Sequence, residues 1–179
     1  MPSEVIFQRL ALLAELARRA RLGRTAIMKL LFFLQESKGI PLGYQFSLYS
    51  YGPFDSDVLA DISTAERLNI LKSNVVYYVS GTGYEYMRGP DAPSADELAQ
   101  DFLITNRENI DWAIKNFANR TAGELELLST TLFVAKFQNP KDISSLIEKV
   151  EEVKPHFSRE RIKNGIEDLV SMRMLRAVN

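Results

Sequence analysis

Residues 24–71 constrain the fold more than any other part of this chain. They open with a nearly unbroken apolar run, Ile27, Met28, Leu30, Leu31, Phe32, Phe33 and Leu34, which predicts a mostly buried helix over about 25–37. Lys29 lies inside that run and must reach water, snorkel or meet a carboxylate. Gly39 and Pro41 end the helix. Tyr44, Phe46 and Leu48 then alternate with Gln45, Ser47 and Tyr49, the period of a half-buried strand. Tyr51-Gly52-Pro53-Phe54 reads as a sharp turn into a second helix, with Phe54, Val58, Ile62, Ala65 and Leu68 as its inward stripe. Asp55, Ser56 and Asp57 supply capping groups and negative charge at its start.

That helix leads into two apolar runs, residues 70–72 and 75–80, expected to be strands about a turn at Ser73-Asn74. Residues 80–88 fit either another strand or a short closing helix. Before this stretch, Ile6, Leu10, Leu13, Ala17 and Ala20 mark an amphipathic helix over about 3–22. Helix, turn, helix and small hairpin is the order of a winged helix-turn-helix, expected over residues 1–89. Gly89-Pro90-Asp91-Ala92-Pro93 reads as a linker to a helical domain over 94–179. Ser94 with Glu97 and Thr121 with Glu124 are capping-box patterns, the first opening a helix to about Asn119. Asn139-Pro140 suggests a third helix start, and Ser158 caps a last helix with Phe157 and Ile162 as its staple. The final two helices, joined at Lys154-Pro155-His156, look like a second helix-turn-helix pair. The expected class is therefore α+β, predominantly α, with a small β-wing in the first domain.

Length and composition admit one good core or two small ones, since domains usually hold ~100–200 residues. With no cysteine and His156 as the lone histidine, the usual zinc sites and thiol chemistry are excluded. Asp55 and Asp57 could form a carboxylate magnesium pair, but helix capping accounts for them more simply. Gly81 and Gly83 lack the spacing of a phosphate-binding loop, and no serine-nucleophile elbow is present. No catalytic residue, metal or cofactor is expected. The N-terminus lacks the order of a signal peptide, and no apolar run approaches the ~20 residues that span a bilayer. A soluble cytoplasmic protein without membrane association is the expectation.

The net charge of −1 is unevenly spread: residues 1–40 carry +4 and residues 91–154 carry −5. Candidate DNA contacts are Arg18, Arg19, Arg21 and Arg24 near the first helix end, and Arg159, Arg161, Lys163 and Asn164 in the last helix. Arg18, Arg19 and Arg21 suit the negative end of the helix dipole better than phosphate contact. The last helix suits a solvated surface better, because Glu160, Glu167 and Asp168 are interspersed. The presumed recognition helix carries Asp55, Asp57, Asp61 and Glu66 against Arg67 alone, which opposes phosphate contact.

Residues 29–35 (KLLFFLQ) and 46–58 (FSLYSYGPFDSDV) resemble the bacterial and archaeal YwgA-like proteins, predicted regulators. They are more distantly similar to the Panacea domain of antitoxins such as SocA. Residues 127–134 and 153–169 also look like the second half of YwgA-like proteins, so that likeness spans most of the chain. The motif residues are Lys29, Tyr51, Gly52 and Pro53, expected to be structural: proline fixing the turn, glycine permitting it, tyrosine packing over it. The resemblance implies a winged-helix-like fold and no enzymatic activity. Two functions are expected from it and from the residues. One is a DNA-binding transcriptional regulator acting on double-stranded DNA, as a homodimer. The alternative is an antitoxin or proteolytic adaptor that binds a protein partner such as a toxin.

Overall fold

Leucine and alanine dominate the first helix, α1 (Pro2–Arg19), and Leu10, Leu12, Leu13, Ala14 and Leu16 are withdrawn from water in the computed structural model, which describes residues 2–79 and 81–176. Each such leucine contributes roughly 1.5–3 kcal/mol by burial. The next helix, α2 (Arg24–Lys38), buries every residue from Ile27 to Leu34, Lys29 included. It ends at Gly39, whose left-handed backbone (φ +68°) closes the last turn. A short hairpin follows, β1 (Ser47–Tyr49) paired with β2 (Gly52–Phe54). Then come α3 (Ser56–Arg67) and a longer antiparallel hairpin, β3 (Leu71–Tyr78) paired with β4 (Gly81–Arg88). The rest is helical: α4 (Ala92–Leu98), α5 (Gln100–Thr105), α6 (Arg107–Phe117), α7 (Ala122–Phe137), α8 (Ile143–Val153) and α9 (Arg159–Ser171). The protein is α+β and predominantly α.

The chain forms two compact units: Met1–Phe46 with Asp55–Arg120, and Ser47–Phe54 with Thr121–Asn179. In the first, α1 is the hub against which α3, α4, α5, α6 and the β3–β4 hairpin pack. Phe33 of α2 stacks on Phe117 of α6 with ring centroids 4.1 Å apart, and Trp112 meets the same ring edge-on. In the second, Leu127, Val134, Leu146, Ile147, Val150, Phe157, Ile162 and Ile166 from α7, α8, α9 and the preceding turn make one core. β2 lies against α7 in this unit.

This division falls elsewhere than the linker read at 89–94. Gly89 N–H donates to Ile70 O (2.8 Å) and Asp91 N–H to Asn69 O (3.1 Å), so the segment is pinned inside the first unit. A Cβ on Gly89 would collide with the Asn69 carbonyl, which explains the glycine. The long helix expected from Ser94 is three helices, with Ser94 inside α4 rather than capping it. A straight helix over 94–119 would run roughly 39 Å and could not follow α1 as the broken path does.

Other local expectations change for similar reasons. Gly52-Pro53 does not form the turn; it lies in β2, and the chain reverses at Ser50-Tyr51. Seventeen residues separate α2 from α3, so the connection is not a tight helix-turn-helix turn. Ser73-Asn74 stands mid-strand, paired with Tyr86 and Glu85, because residues 71–78 form one continuous strand. Residues 81–88 are strand, not helix; Ser80, the expected end of a wing strand, lies outside the described residues. α8 starts at Ile143 with Asp142 as cap (Ser145 N–H to Oδ1, 2.7 Å), while Asn139 takes a left-handed turn (φ +45°). The Thr121/Glu124 box forms as expected: Glu124 N–H donates to Thr121 Oγ1 (3.3 Å) and Thr121 N–H to Glu124 Oε2 (2.8 Å).

Candidate functional site

The predicted basic residues fall into two groups, one in each unit, and most are already engaged. Glu15 lies one turn before the end of α1 and takes Arg18 in a bidentate pair (both 2.8 Å) and Arg19 Nε (2.6 Å). Arg19 also meets Asp111 of α6. The hydrogen bond from Arg18 outweighs the opposing effect of burial and, with Arg19, holds the Glu15 carboxyl down at about 2. Arg24 Nε donates to the Tyr86 hydroxyl (2.9 Å), with its guanidinium 4.9 Å from the Tyr84 ring centre. Arg21 is exposed. In the second unit Arg159 pairs with Glu151 (2.7 Å) and Arg161 covers the Phe157 ring, while Lys163 and Asn164 face solvent. The first unit has thirteen Lys/Arg against fourteen Asp/Glu, the second nine against nine. Neither is a basic domain.

The acidic character expected of α3 also changes. Asp61 points inward: the Tyr44 hydroxyl donates to it (2.8 Å) and Arg9 NH1 approaches at 3.4 Å, with Arg9 also over the Tyr44 ring. Burial pushes the Asp61 carboxyl up despite these two partners, and burial likewise pushes the Tyr44 phenol up. Glu66 accepts from Ser73 Oγ (2.5 Å), and Asp55 caps the helix through Asp57 N–H (2.8 Å). Asp57 and Arg67 are the charged residues left exposed on α3. The helix presents neither a phosphate-repelling face nor a phosphate-binding one.

Of the motif residues, Lys29 and Gly52 lie inside the fold and Tyr51 does not. Lys29 is 2% exposed within α2. Tyr51 does not pack over a turn; it is 73% exposed at the tip of the β1–β2 hairpin, beside exposed Tyr49. Gly52 has φ +89° and sits against α7, where a Cβ would come within 3.0 Å of Thr130 Oγ1 and 3.1 Å of Ser129 Oγ. Below the hairpin, Lys154 reaches the Tyr49 and Ser50 carbonyls and ion-pairs with Glu126 (2.8 Å). His156 Nε2 stands 3.3 Å from the same carboxylate. Leu48, Tyr49, Ser50, Val153, Lys154 and His156 line an open groove there. Lys154 and Glu126 escaped the sequence reading. The signal was present: a single carboxylate flanked by Leu125, Leu127 and Leu128 needs a cation.

Exposed apolar side chains of the first unit gather on the distal β3–β4 hairpin. Val75, Tyr77, Tyr78, Val79, Tyr84 and Met87 are all exposed, Tyr77 at 83%. Leu71 and Tyr86, near the hairpin base, are buried. The face that carries Leu71 into the core continues outward through Val75 and Tyr77, both exposed. Among the described residues no cluster of three or more His, Asp or Glu could hold a metal ion, and no helix is long and apolar enough to cross a membrane. No family model matches the chain, and no curated protein matches it either.

Proposed function

We propose that this is a non-enzymatic regulatory protein that works by binding a protein partner, as an antitoxin or a proteolytic adaptor does. The observation that carries the reading is the exposed aromatic and aliphatic surface of the β3–β4 hairpin. Exposed apolar side chains gathered in this way, Val75, Tyr77 and Tyr84 on one face and Tyr78 and Met87 on the other, mark protein recognition, in which tyrosines are common anchors. The internal pairing of Arg18, Arg19 and Arg159 with carboxylates, and of Arg24 with the Tyr86 hydroxyl, supports the same reading, because each partner would have to be displaced before phosphate could bind. A photo-crosslinking side chain at position 77, placed in the protein in its native cell, tests it. A discrete protein adduct is expected. Excess wild-type protein should compete it away, whereas a Tyr77→Ser/Val79→Ser variant should compete at least tenfold less well. Absence of an adduct overturns the reading.

A second reading, a DNA-binding transcriptional regulator, is favoured by one observation: α3 is followed at once by the β3–β4 hairpin, as a recognition helix is followed by its wing. Fluorescence anisotropy with mixed duplex DNA across a salt series separates the two. The protein-partner reading expects no binding at low salt. Salt-dependent binding that weakens on charge reversal at Arg159, Arg161 and Lys163 would favour DNA instead.

A further inference from the structure

We propose that the outer edge of β3 receives an extended segment of the partner, which joins the β3–β4 sheet as a third strand. The inference rests on the protein-partner reading and names the chemistry of the contact. The sheet has two edges, and they differ. On the β4 side, Tyr86 N–H donates to Leu22 O (3.0 Å), so that edge is partly occupied by the chain itself. This bond also sets the direction of every backbone group in the hairpin. Tyr86 turns its polar groups away from β3, so its partner Ser73 turns its own away from β4. By the two-residue period, Val75 and Tyr77 do the same. Among the described residues none of these outward N–H and C=O groups has a hydrogen-bond partner.

Open strand edges are normally blunted by proline, bulges or several charges. β3 has no proline, pairs in continuous register with β4, and carries a single charge, Lys72. The side chains specify what would fit. Val75 and Tyr77 lie on the face continuous with the core, so a third strand would place apolar residues two apart beside them. Lys72 is exposed on the opposite face, three residues from Val75, where a carboxylate of the added strand would complement it. The occupant is an extended partner segment with two apolar residues two apart and an acidic residue three beyond the nearer one, in either strand direction.

The probe is a capped synthetic peptide of that pattern, alternating valine and threonine with one glutamate. Binding should protect the Ser73, Val75 and Tyr77 amides from exchange in NMR spectra of the full chain. Val75→Pro is the decisive variant. The Val75 N–H points away from β4, so proline removes that outward donor and leaves the β3–β4 ladder intact, which the Asn74 and Val76 amides report. Affinity should fall about tenfold or more. Lys72→Glu should shift preference from the glutamate peptide toward a lysine version by roughly two- to fivefold. Equal binding by wild type and Val75→Pro, no binding by wild type, or protection elsewhere overturns the proposal. Self-association through β3, abolished by Val75→Pro, overturns it too by making a second copy the occupant. A position-77 adduct that persists in Val75→Pro sinks only the edge inference; no adduct at all sinks the reading beneath it.

Discussion

Lys154 is 3% exposed, and its ammonium is shared between one carboxylate and two backbone carbonyls. Lys154→Ala leaves Glu126 buried without its cation, which should cost about 3–5 kcal/mol in chemical denaturation. Replacing both partners at once, Lys154→Met with Glu126→Gln, should cost clearly less than the single change, because no buried charge is then left alone. If the pair proves no milder than the single variant, the carbonyl contacts rather than the ion pair hold the β1–β2 hairpin. Gly52 is constrained twice, by its positive φ and by Ser129 and Thr130 of α7. Gly52→Ala should lose about 1–3 kcal/mol. Adding Thr130→Ala should recover only part, since it relieves the crowding and leaves the backbone strain.

At the scale of elements, the last turn of α1 is an electrostatic joint. Glu15 is held at about 2 in the folded protein against an ordinary 4.5, so its contribution is fully present above about 4.5 and is lost as pH falls toward about 2. A Glu15→Gln variant should be less stable than wild type at neutral pH, and the gap should close across that acid window; an unchanged gap at pH 3 would refute the assignment. The Thr121 cap of α7 belongs to the same class of local device. Thr121→Ala removes the oxygen that receives Glu124 N–H and should cost ~1 kcal/mol in thermal denaturation.

For the whole molecule, the second unit is not contiguous in sequence, because it takes residues 47–54 from between α2 and α3. A fragment of residues 121–179 lacks the strand that packs on α7 and both carbonyls that Lys154 binds. Such a fragment should unfold without a cooperative transition, whereas the full chain should show one. Cooperative unfolding of the fragment would mean that α7, α8 and α9 suffice by themselves.

The sequence by itself determined what short-range chemistry controls: the apolar period of α2 and α9, the Thr121/Glu124 box, the Ser158 cap and the α+β class. It also marked Tyr51-Gly52-Pro53 as special, but as a turn rather than the tip and second strand of a hairpin. Only the tertiary structure shows what surrounds Gly52. Gly52 is required by its distance to a helix 77 positions later, counted to Ser129, which no local turn rule encodes. Asp61 reads as surface charge in the sequence, yet its partners Tyr44 and Arg9 are chosen by which parts of the chain meet in the fold. The open edge of β3 is likewise invisible locally. Whether a strand's outward backbone groups are paired depends on what the rest of the chain lays beside it, and here Leu22 lies beside β4 and no backbone group of the described residues pairs with the outer edge of β3.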